Sequence, residues 1–180
     1  MSIPADIAAN RQHRSWSHRA LLGRCLWWAV SPLFRLSPRP LWAWRVWMLR
    51  CFGAQIGGQV HVHPSVRIAI PWNVQIADQA AVGDRAILYA LGPIKIGARA
   101  TVSQYAHLCA GSHGWRDPTR PLLKTPIQIG ADAWVCADAF VGPGVQIGQG
   151  AVLGARSVAM KDLPARCIGF GNPMQVKPAK

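Results

Sequence analysis

An all-β solenoid is the fold class this sequence predicts, and two observations carry that prediction. The stretch Ile129–Pro164 reads IGADAW-VCADAF-VGPGVQ-IGQGAV-LGARSV-AMKDLP, a six-residue phrase repeated. Its first position is aliphatic in Ile129, Val135, Val141, Ile147 and Leu153 and weakens to Ala159; its fifth is small or aliphatic throughout. A fixed short period marks a repeat architecture, in which each rung buries against its neighbours what it cannot bury alone. Six residues are too few for a strand and a crossover helix. They suit one short strand and a corner, so three phrases close a triangular coil. Glycine favours the second position, where it is expected to relax the corner backbone.

The second observation is phase. First positions recur backwards at Leu108, Val102 and Ile96, then Leu88, Val82 and Ile76, then Ile68, Val62 and Ile56. Extra residues fall only at Val74-Gln75, Ile94-Lys95 and Gly114–Gln128, each after the third phrase of a coil, so every insertion leaves from one corner. Five coils follow, 56–73, 76–93, 96–113, 129–146 and 147–164. The chain divides into an N-terminal tail and Trp/Arg-rich helical cap (1–55), the repeat with its loop 114–128 (56–164), and a short C-terminal cap (165–180).

The N-terminal third has a different pattern. Residues 1–15 are polar and read as a loose tail. From Ser17, Leu21, Leu22, Cys25, Leu26, Trp28 and Ala29 recur at helical spacing, and Ser31-Pro32 is expected to interrupt the helix. Ser37-Pro38-Arg39-Pro40 precedes a second helix, Leu41 to Phe52, with Gly53 as its stop. A solenoid's end coil exposes an apolar triangle and open strand edges that need covering, and these helices suit that task. Trp27, Trp28, Trp42, Trp44 and Trp47 lie among Arg24, Arg35, Arg39, Arg45 and Arg50, a composition that also fits peripheral contact with an anionic membrane. Trp72, oversized for a fifth position, is expected against this cap.

Composition bounds the rest. The chain has 180 residues, 51% hydrophobic, enough for one domain with a core. It has 20 Lys and Arg against 7 acidic residues, all Asp, a net charge of +13 that favours polyanionic partners. Nucleic acid is set aside, because no reading helix, zinc module or RNA-binding signature is present. Five cysteines without a CxxC pair fit reduced thiols and a cytoplasmic setting. No secretory signal is visible, and the longest apolar run, Leu26–Phe34, falls well short of the roughly 20 residues that span a bilayer. His61 and His63 sit two apart, but two such residues alone are weak evidence for metal.

Further motifs carry a resemblance. Ser112-His113 closes a coil before a loop containing Asp117-Pro118; Ile129-Gly130, Trp134-Val135, Pro143-Gly144-Val145, Lys161-Asp162 and Gly171-Asn172-Pro173 follow. Together, over roughly residues 37–177, these resemble the hexapeptide-repeat acyltransferases, nearest to the polysaccharide O-acetyltransferases of the colanic acid biosynthesis type. The resemblance implies a left-handed parallel β-helix, a homotrimer, and acetyl-CoA as co-substrate in grooves between subunits, with no permanently bound cofactor or metal. It also implies transfer of an acetyl group to a glycan or lipid-linked glycan hydroxyl in cell-surface polysaccharide biosynthesis, with His113 as general base. The handedness rests on resemblance alone, since ordinary crossover sterics favour the right hand.

Acetyl transfer from a thioester to an alcohol needs a base for the hydroxyl proton and donors for the oxyanion, and an imidazole suits the first role. The group orienting His113 is either Asp117 or a backbone carbonyl. Regular stacking would place His113 over Pro93 and Asn73 and under Gln146. For coenzyme A the resemblance points to Trp134, Ala137, Gly142 and Ala155 along the pantetheine arm and to Lys161 and Arg166 (with Lys177) toward phosphates. Related sugar acetyltransferases hold the acceptor with an Asn and an Asp one coil earlier; Arg85–Pro93 retains neither, leaving Asn73, Arg85, Tyr89 and Trp115 as candidates for the acceptor. Two other readings compete: a γ-class carbonic anhydrase using His107 and His113, although its His-x4-His spacing is absent, and a non-enzymatic trimeric envelope scaffold.

Overall fold

The computed structural model describes residues 6–12 and 15–179. The repeat winds as a left-handed parallel β-helix with three faces. The first face stacks Gln55–Ile56, Val74–Ile76, Ile94–Ile96, Ile127–Ile129 and Gln146–Ile147; the third stacks Arg67–Ile68, Ile87–Tyr89, His107–Cys109, Phe140–Val141 and Val158–Ala159. The second runs from His61–Val62 to Val152–Leu153, continues into Cys167–Phe170 and ends in an antiparallel partner, Gln175–Pro178. The five coils are therefore followed by a sixth, partial one. Leu163 bridges to Ile147 and Ile168 pairs with Val152, before the terminal hairpin closes that face.

First- and fifth-position side chains fill the interior as the period requires. Ile147, Leu153, Ala133, Ala139 and Ala151 are all buried. Ser157, a polar fifth-position residue, is buried and its hydroxyl accepts from Gly171 N at 3.0 Å. The insertions Val74-Gln75 and Ile94-Lys95 lengthen the first-face strands by one residue, adding Val74 and Ile94 to the core.

The role of the second-position glycine is corrected. Gly97 and Gly130 lack positive φ; a Cβ there would lie 2.5 Å from the backbone N of Ala131 and Gln149 respectively, on the next coil. Glycine is needed for close stacking. The left-handed backbone instead falls at the fourth position, in Gln59, Gln79, Arg85, Arg99, Tyr105, Asp132, Asp138, Arg156 and Arg166. These residues are mostly polar and sit at corners, where solvent receives their side chains.

Three helices precede the coils: α1 (Ile7–Gln12), α2 (His18–Arg35) and α3 (Trp42–Cys51). Ser17 caps α2 by accepting from Ala20 N. α2 passes straight through Ser31-Pro32, where an interruption was expected. Proline removes the N–H that would reach the carbonyl of Trp28, and the Ser31 hydroxyl donates to that same carbonyl at 3.0 Å. Gly53, with φ +83°, ends the segment after α3. Trp27, Phe34, Val46, Met48 and Leu49 close the bottom of the core, and Trp72 packs on Gly23 as expected.

Arg45 is not a free surface charge: it is fully buried. Its guanidinium donates to Val62 O at 2.6 Å, Ser37 Oγ and Pro38 O at 2.9 Å and Arg39 O at 2.6 Å, and it stacks on Trp42. Burial lowers its pKa. The planar donor fork satisfies carbonyls on both the helical cap and the first coil, which a single-point cation could not. Arg45→Met should therefore orphan several carbonyls at once, at a cost of about 3 kcal/mol or more, and lower Tm by several degrees in a thermal melt. An unchanged Tm would show that the network contributes little.

Candidate functional site

The longest insertion folds as a hairpin at the corner between the third and first faces. Ser112–His113 pairs antiparallel with Leu122–Leu123, and the tip is tied by Gly114 N to Pro121 O at 3.0 Å and Arg120 N to Asp117 O at 2.9 Å. This lifts His113 out of the stack. Ile127 pairs with Ile94, which sets Pro126 rather than His113 in register with Pro93, and Gln146 stacks on Gln128 in the first face.

His113 is exposed, and its Nδ1 lies 2.8 Å from the carbonyl of Arg120. A carbonyl only accepts, so Nδ1 carries the hydrogen in the neutral ring and Nε2 keeps its lone pair. That is the tautomer a general base requires. Of the two orienting groups left open by the sequence, the backbone carbonyl is the one found. Asp117 turns inward on its own loop, where Oδ1 accepts from Thr119 N and Oγ1, both at 2.8 Å, and these bonds lower its pKa.

Of the tail expected over residues 1–15, residues 6–12 and 15 are held by specific contacts, and 1–5 and 13–14 lie outside the described residues. Asp6 N donates to Pro118 O, and Asn10 Nδ2 reaches Thr119 O at 2.6 Å and Arg120 O at 3.2 Å. Asn10 thus grips the same carbonyl that orients His113. Lys124 Nζ in turn donates to Ser15 O at 2.6 Å and lies 3.6 Å from the ring centre of Trp16. Sequence periodicity offers no signal for these contacts, because α1 is one short helix and its partners are over a hundred residues away.

This arrangement sits on a chain with informative relatives. It is 48% identical over 152 residues, covering 84% of each chain, to the colanic acid biosynthesis acetyltransferase WcaF of Escherichia coli. The chain belongs to the hexapeptide-repeat acetyltransferases. As a member of that family it is an acetyltransferase. No family model matches. In fold it resembles a hexapeptide-repeat acetyltransferase of Vibrio cholerae complexed with acetyl-CoA (TM-score 0.85, 21% identity, 94% and 93% of the two chains). It also resembles a galactoside acetyltransferase in complex with coenzyme A (TM-score 0.75, 20% identity, 97% and 89% of the two chains).

The other candidate residues of this acetyltransferase distribute over three corners. Gly142 and Lys161 share the His113 corner; a Cβ on Gly142 would meet the Met160 sulfur at 2.5 Å. Ala137 and Ala155 stack on the corner between the second and third faces, joined by Arg156 N to Ala137 O at 2.9 Å. Trp134 is half-exposed on the second face with its indole N–H on Ser103 Oγ at 2.8 Å, and Arg166 lies on the remaining corner. One subunit does not bring these six together. Among the acceptor candidates, Tyr89 lies beside His113, while Trp115 extends from the hairpin tip under Arg116. Asn73 spends its amide hydrogens on Ala90 O and Leu91 O, a stacking role. Arg85 is at a different corner, bonded to the Tyr105 hydroxyl.

The remaining histidines have local explanations. His61 stacks on Trp42, and His63 bonds Ser65 and faces Asp84 at 3.2 Å. Among the described residues no three His, Cys, Asp or Glu side chains converge on a metal position. His107 is flanked edge-on by Tyr89 and Phe140; its Nε2 is buried without a partner, and burial lowers its pKa.

Proposed function

We propose that the protein transfers the acetyl group of acetyl-CoA to a sugar hydroxyl of a cell-surface polysaccharide or its lipid-linked precursor, with His113 as general base. The observation that carries this is the Nδ1–Arg120 contact, which leaves Nε2 free at the mouth of a hollow. The acceptor oxygen attacks the thioester carbonyl carbon as Nε2 takes the hydroxyl proton. The tetrahedral intermediate collapses, the C–S bond breaks, and the same proton passes to the leaving thiolate. His113→Ala should lower kcat by roughly 10²–10⁴-fold while acetyl-CoA binding persists, measured by thiol release and by calorimetry. Near wild-type kcat at saturating acceptor would remove the assignment.

The reading includes a homotrimer, because the candidates for coenzyme A lie on three corners of one subunit and adjacent subunits can bring different corners together. The third face suits the contact: Ile87, Phe140 and Val158 point outward from it, beside the unpartnered His107 Nε2. Sedimentation should give a trimer for the wild type. Phe140→Asp should give monomers without turnover, and an active monomer would overturn the assembly.

Peripheral contact with anionic membrane completes the proposal, at the cytoplasmic side where acetyl-CoA is made. No helix among the described residues is long and apolar enough to cross a membrane. α2 instead exposes Leu22, Leu26, Trp28 and Leu33, followed by Leu36, and Trp44 and Trp47 stack on α3. Arg19, Arg35 and Arg39 flank this surface, and no acidic residue occurs between Asp6 and Asp78. Each such arginine should contribute about 1 kcal/mol near an anionic surface. The wild type should float with anionic but not neutral vesicles at low salt, and replacing these three arginines by Gln should abolish flotation with little change in Tm. Absence of flotation in every condition leaves the helices as a cap alone.

A further inference from the structure

A hollow of about 260 Å³ opens in front of His113, with room for one sugar residue. Three walls are supplied by the chain ahead of the coils: Asn10, Trp16 and Arg24; Tyr89 and Leu122 complete it beside His113. Two cations bear on Trp16. Arg24 Cζ is 4.7 Å from the ring centre and Lys124 Nζ 3.6 Å, and neither is in an ion pair among the described residues. No carboxylate lines the hollow. The two nearest in sequence, Asp117 and Asp6, accept from Thr119 and from Ala9 N.

A site for a neutral sugar must accept hydrogens from several hydroxyls, usually with carboxylates or free amide oxygens. This hollow instead has one cation in its lining, Arg24, with Lys124 on the other side of Trp16, and His113 Nε2 as an acceptor for one hydroxyl. We infer that Trp16, Arg24 and Lys124 form an acceptor subsite selective for a sugar carrying an anionic group, a carboxylate or a phosphate. Trp16 and Tyr89 bound the apolar face of the ring. The guanidinium of Arg24 meets the anion with a planar fork, and Lys124 adds a compact charge behind Trp16. Trp16 holds both cations in place before the acceptor arrives, so little ordering is needed on binding. This inference rests on the acetyl-transfer reading for its role, but its test does not depend on turnover.

NMR titration of the intact protein without acetyl-CoA compares methyl β-glucoside, methyl β-glucuronide and methyl β-glucoside 6-phosphate, which share a ring and differ at the sixth carbon. An anionic probe should bind at least about tenfold more tightly than the neutral one, with the advantage shrinking as salt rises. Preference for the uronate alone assigns a carboxylate, and preference for the phosphate alone assigns a phosphate; either supports the subsite. Arg24→Gln with Lys124→Gln should erase the preference, and Trp16→Ala should weaken every probe, with Trp16→Phe restoring part of the loss. Equal affinity for neutral and anionic probes, no binding of any probe, or a preference surviving the double substitution overturns the subsite. A failure of acetyl transfer with these binding results intact would count against the reaction instead.

Discussion

Every coil is hydrogen-bonded to the coil above and below it through its backbone, at a spacing of about 4.8 Å, and the rest of the molecule follows from that stacking. Within a face the strands are two or three residues long and could not persist alone; their register is fixed because Ile76, Ile96, Ile129 and Ile147 stand in one column. The close approach leaves no room for a side chain at Gly97 and Gly130, where the next coil's backbone already sits. Added length enters after the third face, and where it extends a strand, as at Val74-Gln75 and Ile94-Lys95, it comes as two residues, which keeps the inward column inward. The chemistry-bearing hairpin leaves at the same corner.

The ends of the stack are solved differently. At the C-terminal end the chain folds its last strand back antiparallel, Cys167–Phe170 against Gln175–Pro178. At the other end helices cover the core, and Arg45 joins them to the first coil by giving its hydrogens to the carbonyls of Val62, Pro38 and Arg39. A buried cation without a carboxylate is tolerable because carbonyl dipoles surround it.

Much of the fold was legible because a six-residue period is a local signal repeated many times. The columns of aliphatic residues, the single corner of insertion, the helix ending at Gly53 and the contact of Trp72 with the cap could all be read from spacing. His113 could be singled out by its place before the longest insertion. What could not be read depends on contacts that have no period. The carbonyl of Arg120 as partner of His113 follows from a hairpin whose pairing, Ser112 with Leu123, is invisible in composition. The burial of Arg45 follows from the angle at which α3 meets the first coil. The continuity of α2 across Pro32 turns on one hydroxyl, and Ser31 looks like any other serine before a proline. Left-handed corners escaped notice because Gln, Arg and Asp occupy them more often than Gly.

The clasp between α1 and the hairpin has a consequence for how the molecule comes into being. Asn10 leaves the ribosome among the first residues, yet its partners Thr119 and Arg120 emerge more than a hundred residues later, after three coils have been made. The loop closed by this contact is among the longest the chain makes, and its entropy cost is met only once the coils stand as a preformed scaffold. The corner that carries His113 is thereby one of the last parts of the protein to become ordered. A nascent chain can have a complete lower solenoid while the carbonyl that orients His113 is still unmade.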